Sequence, residues 1–132
     1  QKVAVVGKSL TVGLPTALLM MNEEATVSVC HILSRPEDTR QLCQQADIVI
    51  SAAGCAGLIK ADYVRPGQVV VDVGVNVGKD GVMRGDAAFE EVEPIVKAIT
   101  PVPGGVGAIT STVLMAHVVE AAMRQKGLKE QR

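Results

Sequence analysis

Five short apolar runs spaced through the first hundred residues constrain the fold of this chain more than any other feature. They fall at residues 3–6 (Val-Ala-Val-Val), 26–30 (Thr-Val-Ser-Val-Cys), 47–51 (Asp-Ile-Val-Ile-Ser), 68–72 (Gln-Val-Val-Val-Asp) and 98–100 (Ala-Ile-Thr). Runs this short and this rich in Val and Ile read as strands buried on both faces of a parallel sheet. Helical patterns stand between them. Residues 15–22 carry one, with Pro15 near its first turn. Residues 36–46 carry the next, and Pro36 with Glu37 and Asp38 marks its start. Two more are expected at 86–95, with Asp86 as N-cap, and at 109–125. Residues 59–64 read as a short helix or turn stopped by Pro66-Gly67. Lys79-Asp80-Gly81 signals a hairpin within 75–84. The order β-α-β-α-β predicts an α/β fold: a Rossmann-like, mostly parallel sheet of about five strands with helices on both faces. Residues 1–125 form one domain in this reading, and 126–132 are a polar tail expected to fray.

The core has to be aliphatic, because only one Phe, one Tyr and no Trp occur among 132 residues. A net charge of -1 supplies no field for nucleic acid or an anionic membrane. No apolar run in the sequence approaches the ~20 residues of a membrane span, so no membrane partner is expected. Cys30, Cys43 and Cys55 are odd in number and lack C-x-x-C spacing, which argues against a disulfide framework or a metal site. Reduced thiols in a cytoplasmic protein are the expectation. The chain opens at Gln1-Lys2 and enters a strand at once, as a piece of a longer protein would.

On sheets of this kind, ligands bind beyond the carboxyl ends of the strands. All five strand ends here carry small or polar residues. Gly7-Lys8-Ser9 follows the first, His31 the second, Ala53-Gly54 the third, Gly74 and Asn76 the fourth. The loop Thr100-Pro-Val-Pro-Gly-Gly-Val-Gly-Ala-Ile-Thr110 follows the fifth. That loop combines stiff prolines with glycines that admit a ligand close to the backbone, just before a helix start. The first loop is not G-x-G-x-x-G: Gly7 and Gly13 stand six apart, and a plain strand-to-helix turn explains them equally well. Lys8 and Ser9 favour an anion there. A free adenosine ribose calls for an acidic residue at the end of the second strand. Cys30-His31-Ile32-Leu33-Ser34-Arg35 offers none, and Glu23 and Glu24 precede the strand. Lys8, His31 and Arg35 can instead surround a 2′-phosphate, which favours NADP. Asp72 reads either as a clamp on local backbone amides or as a cofactor neighbour, and Gly74 as room for a cofactor ring. Met20, Met21 and the apolar residues of the last helix read as core.

These motifs, in this order, resemble the nicotinamide-binding lobe of the methylenetetrahydrofolate dehydrogenase/cyclohydrolase family. The likeness runs over about residues 2–125. It is carried by Gly7-Lys8-Ser9-Leu-Thr-Val12-Gly13-Leu-Pro15, Cys30-His31, Ala52-Ala53-Gly54, Asp72-Val-Gly74-Val-Asn76, Gly85-Asp86-Ala87 and Thr100 through Thr110. The resemblance implies oxidation of 5,10-methylenetetrahydrofolate with hydride passing to NADP, and hydrolysis of the methenyl product. It implies that Gly7, Lys8 and Ser9 meet the adenosine phosphate end and that His31 lies beside the ribose. Ala53 and Gly54 would offer backbone to the cofactor, and Val75 and Thr110 would border the nicotinamide. It also implies a homodimer.

Three departures bear on the cofactor. Lys8 replaces the family's Arg, Ile32 stands where many members have Ser, and Ala108-Ile109 replaces Pro-Met. The first two leave two alternatives: NAD in place of NADP, or Arg35 as a substitute phosphate ligand. The family's catalytic Lys, its Tyr-x-x-x-Lys motif and its folate-binding Asp belong to an N-terminal lobe that this chain lacks. No catalytic residue is therefore assigned to it, and folate would be met through the other lobe. Two competing readings are the nucleotide lobe of another two-domain dehydrogenase and a non-catalytic binding or assembly module. The Pro-Val-Pro-Gly-Gly loop argues against the first.

Overall fold

A computed structural model of the chain describes residues 1–127. Its strands are β1 (Lys2–Val6), β2 (Thr26–Cys30), β3 (Ile48–Ser51), β4 (Val69–Asp72), β5 (Asn76–Val77), β6 (Met83–Arg84) and β7 (Ala98–Ile99). Its helices are α1 (Gly13–Asn22), α2 (Pro36–Gln45), α3 (Phe89–Val92) and α4 (Val106–Gln125), with a 3-10 turn at Ala61–Tyr63. β1, β2, β3, β4 and β7 form one sheet in the order β2-β1-β3-β4-β7. Every neighbouring pair in it is parallel. β5 and β6 form the hairpin that Lys79-Asp80-Gly81 predicted, and Asp80 pairs with Arg84 across it. The expected fold and strand positions hold.

Alternation along the strands sorts the core onto two faces. Ala4, Val6, Val49 and Val70 point to one side, where Cys43 and Ala46 flank α2 and its end, Ile59 and Val64 flank the 3-10 turn, and Val92 comes from α3. Val3, Val5 and Ile50 point to the other, where only Ala17 of α1 is fully buried with them. Gln68 locks the base of the first face. Its Nε2 donates to the Cys43 and Ala46 carbonyls at 2.7 and 2.6 Å, and its Oε1 accepts from the Arg65 N–H.

Three expectations need correction. The helix expected at 86–95 shrinks to α3, and Asp86 is not its N-cap; Ala88 holds that position without a side-chain bond. Asp86 is turned inward and fully buried, where other groups claim its carboxylate. The apolar residues of the last helix are not core. α4 has no buried residue, and Leu114 and Val118 are 62% and 61% exposed. α4 is also long and apolar enough to cross a membrane by length and composition, with a mean hydropathy of 1.5. Thr110, Ser111, Thr112 and His117 interrupt its apolar run in the sequence, yet weigh little against the Val, Leu, Ile and Met around them. Of the polar tail, only Lys126 and Gly127 fall within the described residues.

Candidate functional site

Two of the cavities among the described residues lie at the carboxyl ends of the sheet strands. The first, of ≈ 370 Å³, sits over the ends of β1, β2 and β3 and is lined by Gly7, Lys8, Ser9, His31, Ile32, Ser34, Ala53, Cys55, Leu58 and Tyr63, among others. The second, of ≈ 460 Å³, sits over β4 and β7. Gly74, Val75, the Pro101–Gly105 stretch, Thr110 and Ser111 line it. Eight of the nine residues singled out from sequence thus gather on this edge, six in the first cavity or its rim loop and Val75 and Thr110 in the second.

Gly7 is required by geometry. Its φ is +125°, and a Cβ would collide with the Ala52 carbonyl. A Cβ on Gly13 would collide with the Gly7 carbonyl. The pair lets the β1–α1 turn pass close over the end of β3. Ser9 then caps the turn, its Oγ accepting the N–H groups of Val12 and Gly13 at 3.1 and 3.3 Å. Its hydroxyl proton remains for a ligand. Lys8 is exposed and, among the described residues, makes no ion pair. His31 Nδ1 accepts the Leu33 N–H at 3.2 Å, which leaves Nε2 as the outward donor in the neutral ring. Arg35 lies between the lining residues Ser34 and Pro36 but is not itself in the lining. It is 82% exposed in its side chain and paired with Asp38 at 3.2 Å.

Ala53 lines the first cavity, and Gly54 follows it in the same loop. Their N–H groups are spent on Asp86, at 2.6 and 3.1 Å. Gly74 has a different cause. A Cβ there would strike the Asp86 carboxylate, so its missing side chain makes room for Asp86 and not for a cofactor ring. Asp72 takes the backbone-clamp role: its carboxylate accepts the N–H groups of Gly74, Asp86 and Ala87 at 2.9, 3.0 and 2.8 Å. Burial raises its pKa above the usual carboxylate range, against those amides, which lower it. Thr110 donates its hydroxyl to the Val106 carbonyl at 3.0 Å. No side chain caps α4, so its first N–H groups face the second cavity uncapped.

Sequence reasoning missed Ser34 and Tyr63. Ser34 Oγ accepts the His31 N–H at 3.0 Å and lines the first cavity, displaced there by the two residues Ile32 and Leu33. Tyr63 lies 32 residues from His31 in no motif, yet the α2 packing brings it to the same wall. Ile32, Leu58 and Tyr63 give that cavity a flat apolar surface. Lys8, Ser9, His31 and Ser34 give it cationic and hydroxyl donors. The combination fits a purine nucleoside carrying phosphate.

A parallel sheet in this order, with a two-part cleft along its carboxyl edge, defines a Rossmann-like dinucleotide-binding lobe. The sequence profile of the tetrahydrofolate dehydrogenase/cyclohydrolase NAD(P)-binding domain matches residues 1–126, and the chain belongs to that family. It is 48% identical over 130 residues to the bifunctional protein FolD of Carboxydothermus hydrogenoformans, covering 97% of this chain and 45% of the relative. It is 51% identical over 125 residues to FolD of Nocardia farcinica, covering 95% and 44%. Among solved structures, the bifunctional FolD dehydrogenase/cyclohydrolase of Campylobacter jejuni superposes with a TM-score of 0.88 at 44% identity, over 94% of this chain and 43% of that one. The Trypanosoma brucei FolD dehydrogenase-cyclohydrolase, solved with NADP and an inhibitor, also gives 0.88, at 35% identity over 95% and 44%. The chain spans less than half the length of these relatives.

Proposed function

We propose that this chain is the NADP-binding lobe of a bifunctional 5,10-methylenetetrahydrofolate dehydrogenase/5,10-methenyltetrahydrofolate cyclohydrolase of one-carbon folate metabolism. One observation carries the choice of cofactor. Lys8 stands free on a cavity whose lining contains no carboxylate. A wall with a cation and hydroxyls suits a phosphorylated ribose, whereas a free ribose diol is held by an acidic side chain. The NADP bound to the Trypanosoma brucei relative supports the same choice.

When bound, the cofactor supplies a hydride acceptor. The chain's own residues bind and orient. Ile32, Leu58 and Tyr63 hold the adenine, while Lys8, Ser9, Ser34 and His31 take the ribose and phosphate, with Arg35 at the rim. Gly7 lets the backbone approach, and Ala53 and Gly54 form the wall. Val75, Thr110 and the start of α4 border the nicotinamide. The acid/base groups and the folate site belong to a second lobe. The protein works in the cytoplasm as a homodimer, a reading supported by three free thiols and by the bare apolar side of α4.

Calorimetric titration of the purified chain with NADP and NAD tests this. NADP is expected to bind more tightly, and the chain alone to turn over no folate. A charge-assisted phosphate bond contributes about 1.5–3 kcal/mol, so Lys8→Ala should weaken NADP roughly tenfold or more and leave NAD nearly unchanged. Equal losses for both cofactors reject the phosphate role of Lys8. Dehydrogenase activity from these 132 residues rejects the division of labour.

A further inference from the structure

We infer that Asp86, acting through Asn76, fixes the two halves of the dinucleotide cleft at their working separation; this rests on the dinucleotide reading above. Asp86 is a carboxylate with no exposed surface and, among the described residues, no ion-pair partner. Five donors replace its water. Oδ2 accepts the Ser51 hydroxyl at 3.1 Å and the Ala53 and Gly54 N–H groups. Oδ1 accepts the Cys55 N–H and the Asn76 Nδ2, both at 2.9 Å. A buried charge is tolerable only when its lone pairs are filled in this way.

The donors come from two different walls. Ser51, Ala53, Gly54 and Cys55 belong to the end of β3, which forms the back of the first cavity. Asn76 opens the β5–β6 hairpin, next to Gly74 and Val75 of the second cavity. Among the described residues, Asp86 is therefore the one side chain that bonds to both. Asp72 fixes it from behind by accepting the Asp86 N–H. Gly74 and Gly85 lack side chains where a Cβ would strike Asp86 and Asp72 respectively. The sheet itself does not need this arrangement, because β1, β3 and β4 are joined by their own ladders. What the carboxylate adds is the spacing between loops.

A ligand that spans both cavities gains from walls held at the right distance before it arrives, because it does not have to order them. A ligand that fills one cavity gains nothing from that spacing. Asn76 is a positioning residue in this sense. Its amide has one weaker alternative, the Arg84 carbonyl at 3.5 Å.

The test uses this chain, with NADP and adenosine 2′,5′-bisphosphate titrated in parallel into the unchanged protein, Asn76→Ala, Asp86→Asn and the double variant. Asn76→Ala is expected to weaken NADP roughly tenfold while the half-ligand stays within about twofold, with little change in the urea midpoint. The double variant should lose no more NADP affinity than Asp86→Asn alone, since both changes break the same bond. Equal losses for both ligands, no loss for either, or additive losses in the double variant overturn the inference. Should Asp86→Asn fail to fold, the Asn76→Ala arm still decides. If the unchanged chain binds no NADP, the dinucleotide reading falls and this inference with it. If it binds and Asn76→Ala leaves the ratio of the two affinities alone, only the inference falls.

Discussion

The two faces of the sheet are finished to different degrees. On one, α2, the 3-10 turn and α3 close over a cluster that buries Ala4, Val6, Cys43, Val49, Ile59, Val70 and Val92. On the other, α1 alone covers Val3, Val5 and Ile50, while Val27, Ile48, Val71 and Val73 stay half-buried. α4 carries further apolar residues, but none of them is buried. The comparison separates two uses of apolar sequence. The first face is built for the chain's own stability. α4 leaves its apolar side uncovered among the described residues. The ligand cleft runs along the edge between the faces, so its walls come from the finished part and its far end from the start of the unfinished helix.

The largest effect that bears on this contrast is thiol reactivity. Cys43 lies in the closed face, and burial pushes its pKa up to about 12. At pH 8 such a thiol is almost wholly protonated, whereas an ordinary one is ionised in about one molecule in ten. Cys30 is buried and raised too, while Cys55 is exposed on the cleft wall. Iodoacetamide should therefore label exposed Cys55 and spare buried Cys43 in the native chain, and NADP should slow the labelling. The linkage has a definite sign. The folded chain holds the Cys43 proton more tightly than the unfolded chain, whose thiol ionises near 9.0. That contribution is complete below pH 9 and is lost as pH rises towards 12. Prompt labelling of Cys43 at neutral pH would mean that the first face is open.

Next in size is a truncation within the closed face. Ile59 has no exposed surface and sits where the 3-10 turn meets the sheet, its N–H bonded to the Asp86 carbonyl at 3.1 Å. Ile59→Ala should cost about 2–5 kcal/mol in urea unfolding, the range for a large aliphatic residue that cannot be replaced by collapse. A loss under about 1 kcal/mol would put the two faces on a level.

Much of this was readable from the residues. The five main-sheet strands, the hairpin, the helices α1 and α2 and the strand-end position of the site follow from local periodicity and turn chemistry. Residues whose role depends on distant partners were harder. Asp86 looks like an N-cap because an Asp before a helical pattern usually is one; its actual donors lie up to 35 residues away on β3 and on the hairpin. The signal was present in Gly74 and Gly85, two glycines outside any tight turn, each making room for a carboxylate. α4 misleads for the opposite reason. Apolar periodicity says that a helix wants cover, and says nothing about whether the same chain supplies it.

The smallest effect on stability belongs to α4, and it is the most direct test of the contrast. Leu114 and Val118 are neighbours one turn apart on its surface, each more than half exposed. Replacing both with Ser removes apolar area that folding of this chain does not bury. The urea midpoint should move by no more than about 0.5 kcal/mol, as for surface sites away from structural features. Association should respond far more. A contiguous apolar stripe that also includes Ile109, Val113 and Met115 is an interaction surface on a free domain, and such patches recruit partners. Sedimentation at micromolar concentration is expected to show self-association of the unchanged chain and a shift towards monomer in the double variant. A loss of 2 kcal/mol or more with no change in mass would mean that α4 packs on the half-covered face of its own sheet. In that case the second face would be as complete as the first.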